Sequence, residues 1–197
     1  MRYANIWPRY ATYWDGMVIN PNRVSRFMSE ASYAIQYKAT YQEVEAETEV
    51  PWPMIAVIHR RESNANFLTY LGNGQSLGQK TTITPIGRGP FYPPNAFVDG
   101  AIDAITMEGW GSVIDWRIEK QLYYCLLFNG IGSEAWGVPS SYIWGGTNVQ
   151  KPGKWIRDHV WDPNFIDPQP GCAPLLWSIA KMDQTVVFSR ETEPVVA

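Results

Sequence analysis

VPWPMIAVIHRRES, residues 50–63, opens with two spaced prolines and closes on a carboxylate. Pro51 ends any helix before it, because the residue preceding a proline is pushed out of the helical region. Pro53 suits the first turn of a new helix, where a missing N–H costs nothing. Ile55, Ala56 and Ile58 then begin an apolar stripe. At about 100° per residue, Glu62 lies seven positions after Ile55 and only about 20° off its direction. It also follows Ile58 by four positions and His59 by three. A carboxyl group thus stands at the end of a core-facing stripe.

On the N-terminal side, Pro8–Val18 predicts a helix with an aromatic stripe that includes Tyr10 and Tyr13. Asn20-Pro21 opens a longer helical region. Val24, Phe27, Met28, Ala31, Ala34 and Ile35 keep the three-and-four spacing of a buried face there, and the pattern runs less cleanly through Tyr41 and Val44. On the C-terminal side, Asn73-Gly74, the alternation Thr82-Ile83-Thr84 and five glycines predict a small, irregular β-hairpin lobe over residues 67–91. Helices are predicted at Phe97–Met107 and at Val113–Phe128. The second has Ile114, Ile118, Leu122, Cys125 and Leu126 as its buried stripe, and Asn129-Gly130 stops it. Residues 130–171 read as short helices and ordered loops. A last helix at Ala173–Met182 precedes a tail, residues 184–197. The expected fold is mainly α (α+β): one domain, residues 1–183, with a helical lobe beside a small β lobe.

Composition narrows the function classes. At 197 residues with 45% apolar and 18% charged residues, the chain reads as globular. A net charge of −3 argues against nucleic acid as a partner. No apolar run approaches the ~20 residues of a membrane span. The first residues, MRYANIWPRYATYWDG, lack the pattern of a signal peptide. Two cysteines, Cys125 and Cys172, both in apolar helical contexts, read as core. Two histidines without an HExxH or paired CxxC motif give no expectation of a metal or other cofactor. Ten Trp, eleven Tyr and seven Phe suit either a core or the wall of a carbohydrate cleft.

Glu62 has two readings on these grounds. One is a general acid: working near neutral pH, it must hold its proton longer than a free Glu of pKa about 4.3, and burial against apolar groups has that effect. The other is a salt bridge to Arg60, Arg61 or Arg88.

VPWPMIAVIHRRES, the FLTYLGNGQSL that follows, FNGIG, SSYIWGGTN, PGKW and DHVWDPN together resemble the lysozyme superfamily of peptidoglycan hydrolases. Within it, they are most similar to lysozyme-like proteins of phages and prophages, over about residues 30–183. Glu62-Ser63 also looks like the Glu-Ser of lytic transglycosylases, and Asn129 matches the Asn of their Tyr-Asn-x-Gly motif, with Phe128 in the Tyr position. The Gly-Leu-Met-Gln of those enzymes is missing. Gln75 stands where the related group would carry an acid, and Leu71 and Leu77 where the phage-type spacing would put Asp and Thr.

The resemblance implies a lysozyme-like fold and a glycosidase that cleaves the MurNAc–GlcNAc bond of bacterial peptidoglycan. The product is either a hydrolysed end or, by lytic transglycosylation, an anhydro end. Glu62 is the expected general acid, with Thr84 and Gln75 completing the catalytic set. Thr81 and Thr82 would help to position a water. Asn129 would hold an N-acetyl group or the acid, Tyr142 and Trp144, with Trp136, would wall the cleft, and Arg88 would meet a lactyl or peptide-stem carboxylate. His59, a neighbour of the acid, and Thr82 are also expected among the substrate-binding residues, and Glu108 and Glu119 are further candidates for a second carboxylate. The expected partner is the peptidoglycan glycan strand, bound by a monomer. An endolysin would accumulate in the host cytoplasm and reach the periplasmic wall with a holin. Two other readings remain: a chitinase-like hydrolase, and an inactive wall-binding or phage structural module.

Overall fold

A computed structural model describes residues 1–157 and 160–191. The chain divides into two compact units: Ser32–Ile114, and Met1–Ala31 together with Asp115–Ala197. The molecule is mainly helical, as expected, with nine α-helices and one two-stranded antiparallel sheet among the described residues.

In the Ser32–Ile114 unit, α2 (Val24–Gln36, which begins in the other unit) ends one residue before α3 (Lys38–Thr48). The less regular stripe after Ile35 marks this break, where Tyr37 leaves helical geometry (φ −102°, ψ 18°) and packs its ring on Phe67. Next comes α4 (Trp52–Ser63), in which every residue from Trp52 to His59 is buried. Interior apolar side chains such as Ile55 and Ile58 each contribute about 1.5–3 kcal/mol of burial. Two left-handed residues, Asn64 and Ala65, end the helix and turn their N–H groups back to the His59 carbonyl. The unit closes with α5 (Ala96–Met107), and α3 packs against both α4 and α5.

Residues 67–91 are not the expected β lobe. A single bridge, Thr69 to Ser76, is the extent of strand pairing there. Side chains take the ladder's place: Asn73, Gln75 and Thr81 hydrogen-bond the backbone of residues 82–88, and Pro85 and Pro90 have no N–H to offer. Gly100 on α5 lets this segment lie close, since a Cβ there would stand 2.7 Å from Leu77 Cδ2.

In the other unit, α1 (Trp7–Asp15), α6 (Ile118–Asn129), α8 (Ser141–Trp144) and α9 (Cys172–Met182) form the core, with α7 (Gly132–Ala135) against the sheet. Ile114 was expected on the buried stripe of α6, but the helix begins only at Ile118 and Ile114 is 95% exposed. Cys125 and Cys172 are both buried free thiols; burial, then the hydrogen bond of the Cys125 thiol to Cys172, pushes the Cys125 thiol up. The sheet pairs β1 (Lys154–Arg157) with β2 (Val160–Asp162), Trp155 opposite Trp161, inside a stretch read from sequence as helices and loops. Cross-strand aromatic pairing favours that short hairpin. Residues 184–191 run back along this unit: the Ile118 N–H bonds the Ser189 carbonyl, and Arg190 and Glu191 both reach Glu119.

Candidate functional site

Glu62 occupies the last turn of α4, where the helix leaves the core. Its side chain is half-buried, intermediate between the sealed Ile55 and Ile58 and the exposed Asn64. The turn at residues 73–75 lies against the Glu62 backbone. Gly74 has a φ of +72°, and a Cβ at that position would meet the Glu62 carbonyl oxygen at 3.3 Å. Only glycine combines that backbone conformation with so close an approach.

From this turn, Gln75 reaches the next loop. Its Oε1 accepts the N–H groups of Thr82 at 2.8 Å and Ile83 at 3.0 Å, and its Nε2 donates to Thr82 Oγ1 at 2.9 Å. Asn73 Nδ2 donates to the Ile83 carbonyl at 3.1 Å, while its Oδ1 accepts the Gln75 N–H. The Gln75 amide thus serves as a brace for the loop. Thr81 is buried, and its hydroxyl joins the Arg88 N–H to the Pro85 carbonyl. The Thr82 and Thr84 side chains are exposed. Gln75 and Thr82 are therefore bonded to each other, and the turn that carries Gln75 lies against the Glu62 backbone.

Arg88 was expected to meet a substrate carboxylate. The carboxylate it grips is Asp103 of α5, through Nε at 2.9 Å and a second, shorter contact. Tyr70 donates its hydroxyl to the same carboxylate at 2.7 Å, and its ring stacks on Phe91. Burial works to raise the Asp103 carboxyl, but the hydrogen bonds from Arg88 and Tyr70 prevail and hold it below the usual carboxylate range. Burial first, then the bond to Asp103, pushes the Tyr70 hydroxyl up. Sequence reasoning missed Tyr70 and Asp103. The available signal was Asp99 and Asp103, four apart on the otherwise apolar helix AFVDGAIDAITM.

His59 is 0% exposed, so a substrate has no surface on it to touch. Tyr41, Phe67 and Phe97 surround its ring with centroids at 5.9, 4.9 and 4.4 Å, and Nδ1 shares a 3.0 Å hydrogen bond with the Tyr41 hydroxyl. Burial lowers its pKa to about 4.

Asn129, Tyr142 and Trp144 belong to the other unit. Asn129 is exposed at the end of α6. Tyr142 and Trp144 were expected as cleft wall, but both are core: Trp144 is 0% exposed and packs nearly perpendicular to Tyr10 and Tyr13, with ring centroids 5.4 Å apart in each pair. The exposed indole is Trp136, which packs on Trp155 and Trp161. Glu119 is buried under Arg190 and the Glu191 N–H, which commits it to holding the C-terminal segment, whereas Glu108 is exposed at the end of α5.

Among the described residues, no cluster of His, Cys, Asp or Glu could hold a metal ion, and no helix is long and apolar enough to cross a membrane. Comparison of the chain with protein-family models, with curated proteins and with solved structures finds no match.

Proposed function

We propose that the protein is a glycosidase of bacterial peptidoglycan, cleaving the MurNAc–GlcNAc bond with Glu62 as general acid. One observation carries the reading: Glu62 is half-buried in the last turn of α4, where a buried helix surfaces, and its backbone carbonyl lies against the Gly74 turn. In this reading Glu62 gives its proton to the glycosidic oxygen as the bond to C1 breaks, and an oxocarbenium-like sugar forms. The Glu62 carboxylate then takes a proton from the hydroxyl that closes on C1.

Two hydroxyls can do this. Water yields a reducing end; the C6 hydroxyl of the muramic acid yields a 1,6-anhydro end. No Asp or Glu occurs from Ser63 to Val98, and Gln75 is occupied with Thr82 and Ile83. A second carboxylate from that stretch is therefore lacking, which favours the single-carboxylate, transglycosylating route.

The test is loss of turbidity on cells stripped of their outer membrane, comparing the chain with Glu62→Gln. The expected result is lysis by the first and at least about 100-fold less by the second, the low end for loss of a general acid. Equal lysis by the two removes Glu62 from the mechanism. Mass spectrometry of the released muropeptides reads the outcome, with anhydro ends expected.

A further inference from the structure

The end of α1, Pro139 and residues 148–151 line a cleft of about 260 Å³ within the unit formed by Met1–Ala31 and Asp115–Ala197. The Val18 carbonyl accepts the Asn148 N–H at 3.0 Å, and Ile19 bridges Thr147, so two stretches distant in sequence are fixed to each other here. Tyr13, Pro139 and Val149 give the cleft apolar wall, and Thr12, Asn148 and Lys151 give it polar groups. We propose that this cleft holds a muramyl sugar of a peptidoglycan glycan strand, with Lys151 meeting its carboxylate and Trp136 stacking on a neighbouring sugar. The proposal rests on the glycosidase reading for the identity of the glycan, and it adds a binding site in the unit that does not contain Glu62.

Three observations favour a sugar of this kind. The first is the mixed lining. A pyranose has apolar C–H faces and hydroxyl edges, so it needs apolar wall and oriented polar groups together. The Tyr13 ring is set nearly perpendicular to the buried Trp144. The Asn148 Oδ1 accepts the Val18 N–H at 2.9 Å and its Nδ2 donates to the Gly16 carbonyl at 3.0 Å, which orients the amide and leaves it a second N–H and a second lone pair. The Thr12 hydroxyl donates to the Pro8 carbonyl at 3.0 Å and keeps its acceptor lone pairs. Groups already held this way lose little freedom when a ligand arrives. The volume is below the ~300–1,000 Å³ of sites that enclose a drug-sized molecule, which suits one ring of a chain that continues outside.

The second observation is charge. No acid lines the cleft, and Lys151 is exposed and in no ion pair among the described residues. Asp15, next to Gly16, is taken by Arg190. A single free cation matches a single carboxylate on a muramyl sugar. A nucleic acid, charged at every nucleotide, would call for a basic surface that a chain of net charge −3 does not offer. The third is Trp136. Its indole packs on Trp155 and Trp161 with centroids at 5.4 and 5.3 Å, yet it remains 61% exposed. An indole held in place with so much of it in water is a ready stacking surface. Pro139 follows Trp136 by three residues, so their Cα atoms are at most about 11 Å apart, within reach of the next sugars along a strand.

The experiment is calorimetric titration of the full chain carrying Glu62→Gln, so that the glycan stays uncut, with three probes: peptidoglycan strands stripped of stem peptides, strands that keep them, and chitin hexamer. Chitin has the N-acetylglucosamine backbone and no carboxylate. Both muramyl probes are expected to bind more tightly than chitin, and the tighter of the two names the lactyl group or the stem peptide as the source of the carboxylate. Lys151→Gln should weaken muramyl binding about fivefold, the size of an exposed ion pair, and leave chitin binding unchanged; Lys151→Arg should restore the difference. Trp136→Ala should weaken all three about tenfold. Both side chains are exposed, and an unchanged melting temperature checks that the variants keep the fold. Equal affinity for muramyl strands and chitin, binding by Lys151→Gln or by Trp136→Ala equal to that of the parent, or no binding to any probe overturns the proposal. Lysis is a separate readout. A parent that lyses no cells but binds strands through Lys151 removes the glycosidase reading and keeps this site, and one that lyses cells while both variants bind normally does the reverse.

Discussion

Gln75 and Thr82 hold each other twice: the Gln75 Oε1 accepts the Thr82 N–H at 2.8 Å, and its Nε2 donates to the Thr82 hydroxyl at 2.9 Å. The turn against Glu62 is thereby fastened to the exposed loop by one side chain. A group so engaged positions its neighbours: its Oε1 is fully taken, and only the second N–H of Nε2 is left to donate.

Replacing Gln75 separates these roles. Gln75→Ala strands two amides and should cost about 1–2 kcal/mol. Gln75→Glu keeps the acceptor and leaves the Thr82 hydroxyl free to turn and donate, so it should cost less than about 1 kcal/mol. Urea denaturation of the two variants checks this. Equal losses would show that the acceptor is not what matters.

His59 makes stability depend on pH. Unfolded, its imidazole titrates near 6.5; folded, at about 4. Below pH 6.5 the unfolded chain therefore binds a proton that the native chain refuses. Stability present above that pH drains away as pH falls towards 4, by on the order of 3 kcal/mol from this group. His59→Phe removes the titration and keeps an aromatic in the cage. Between pH 7.5 and pH 4 the variant should lose less stability than the parent by about that amount. Parallel losses in denaturation at the two pH values would mean that His59 is protonated in the folded chain.

The Asp103 carboxylate pins Arg88 and Tyr70, and its pKa is held below 3.8. Its contribution is thus present above pH 3.8 and lost as pH falls through the lower folded value. Asp103→Asn should release the segment at neutral pH, with trypsin cleaving after Lys80 and Arg88 several-fold faster than in the parent because the loop opens more often. Unchanged cleavage rates would assign the closure of the loop to Thr81 and Gln75 alone.

Residues 184–191 are a structural part of their unit through Arg190, whose Nε reaches the buried Glu119 at 2.7 Å and whose other nitrogens reach Asp15. Arg190→Ala leaves the Glu119 carboxylate without its cation. The expected cost is about 2 kcal/mol, below the 3–5 kcal/mol of a fully buried pair because the Arg190 side chain is 38% exposed. Thermal unfolding of the variant measures it.

The sequence alone determined that the chain is mainly helical and that Glu62 stands at the end of α4, though not where α2 breaks or α6 begins. Pro51, Pro53 and the Ile55–Ile58 stripe delimit α4, and the Glu62 side chain emerges at its end, because helical period and proline geometry are local properties carried by adjacent residues. Tertiary structure alone decided the rest. Side chains of Asn73, Gln75 and Thr81 replaced the expected strand ladder, Arg88 found Asp103 rather than a ligand, and Tyr142, Trp144 and His59 went into cores. An aromatic ring reads the same in a sequence whether it lines a cleft or fills a core. A polar side chain reads the same whether it binds a substrate or its own backbone. Only the packing of distant segments distinguishes these cases, through the water it excludes and the partners it brings within hydrogen-bond reach.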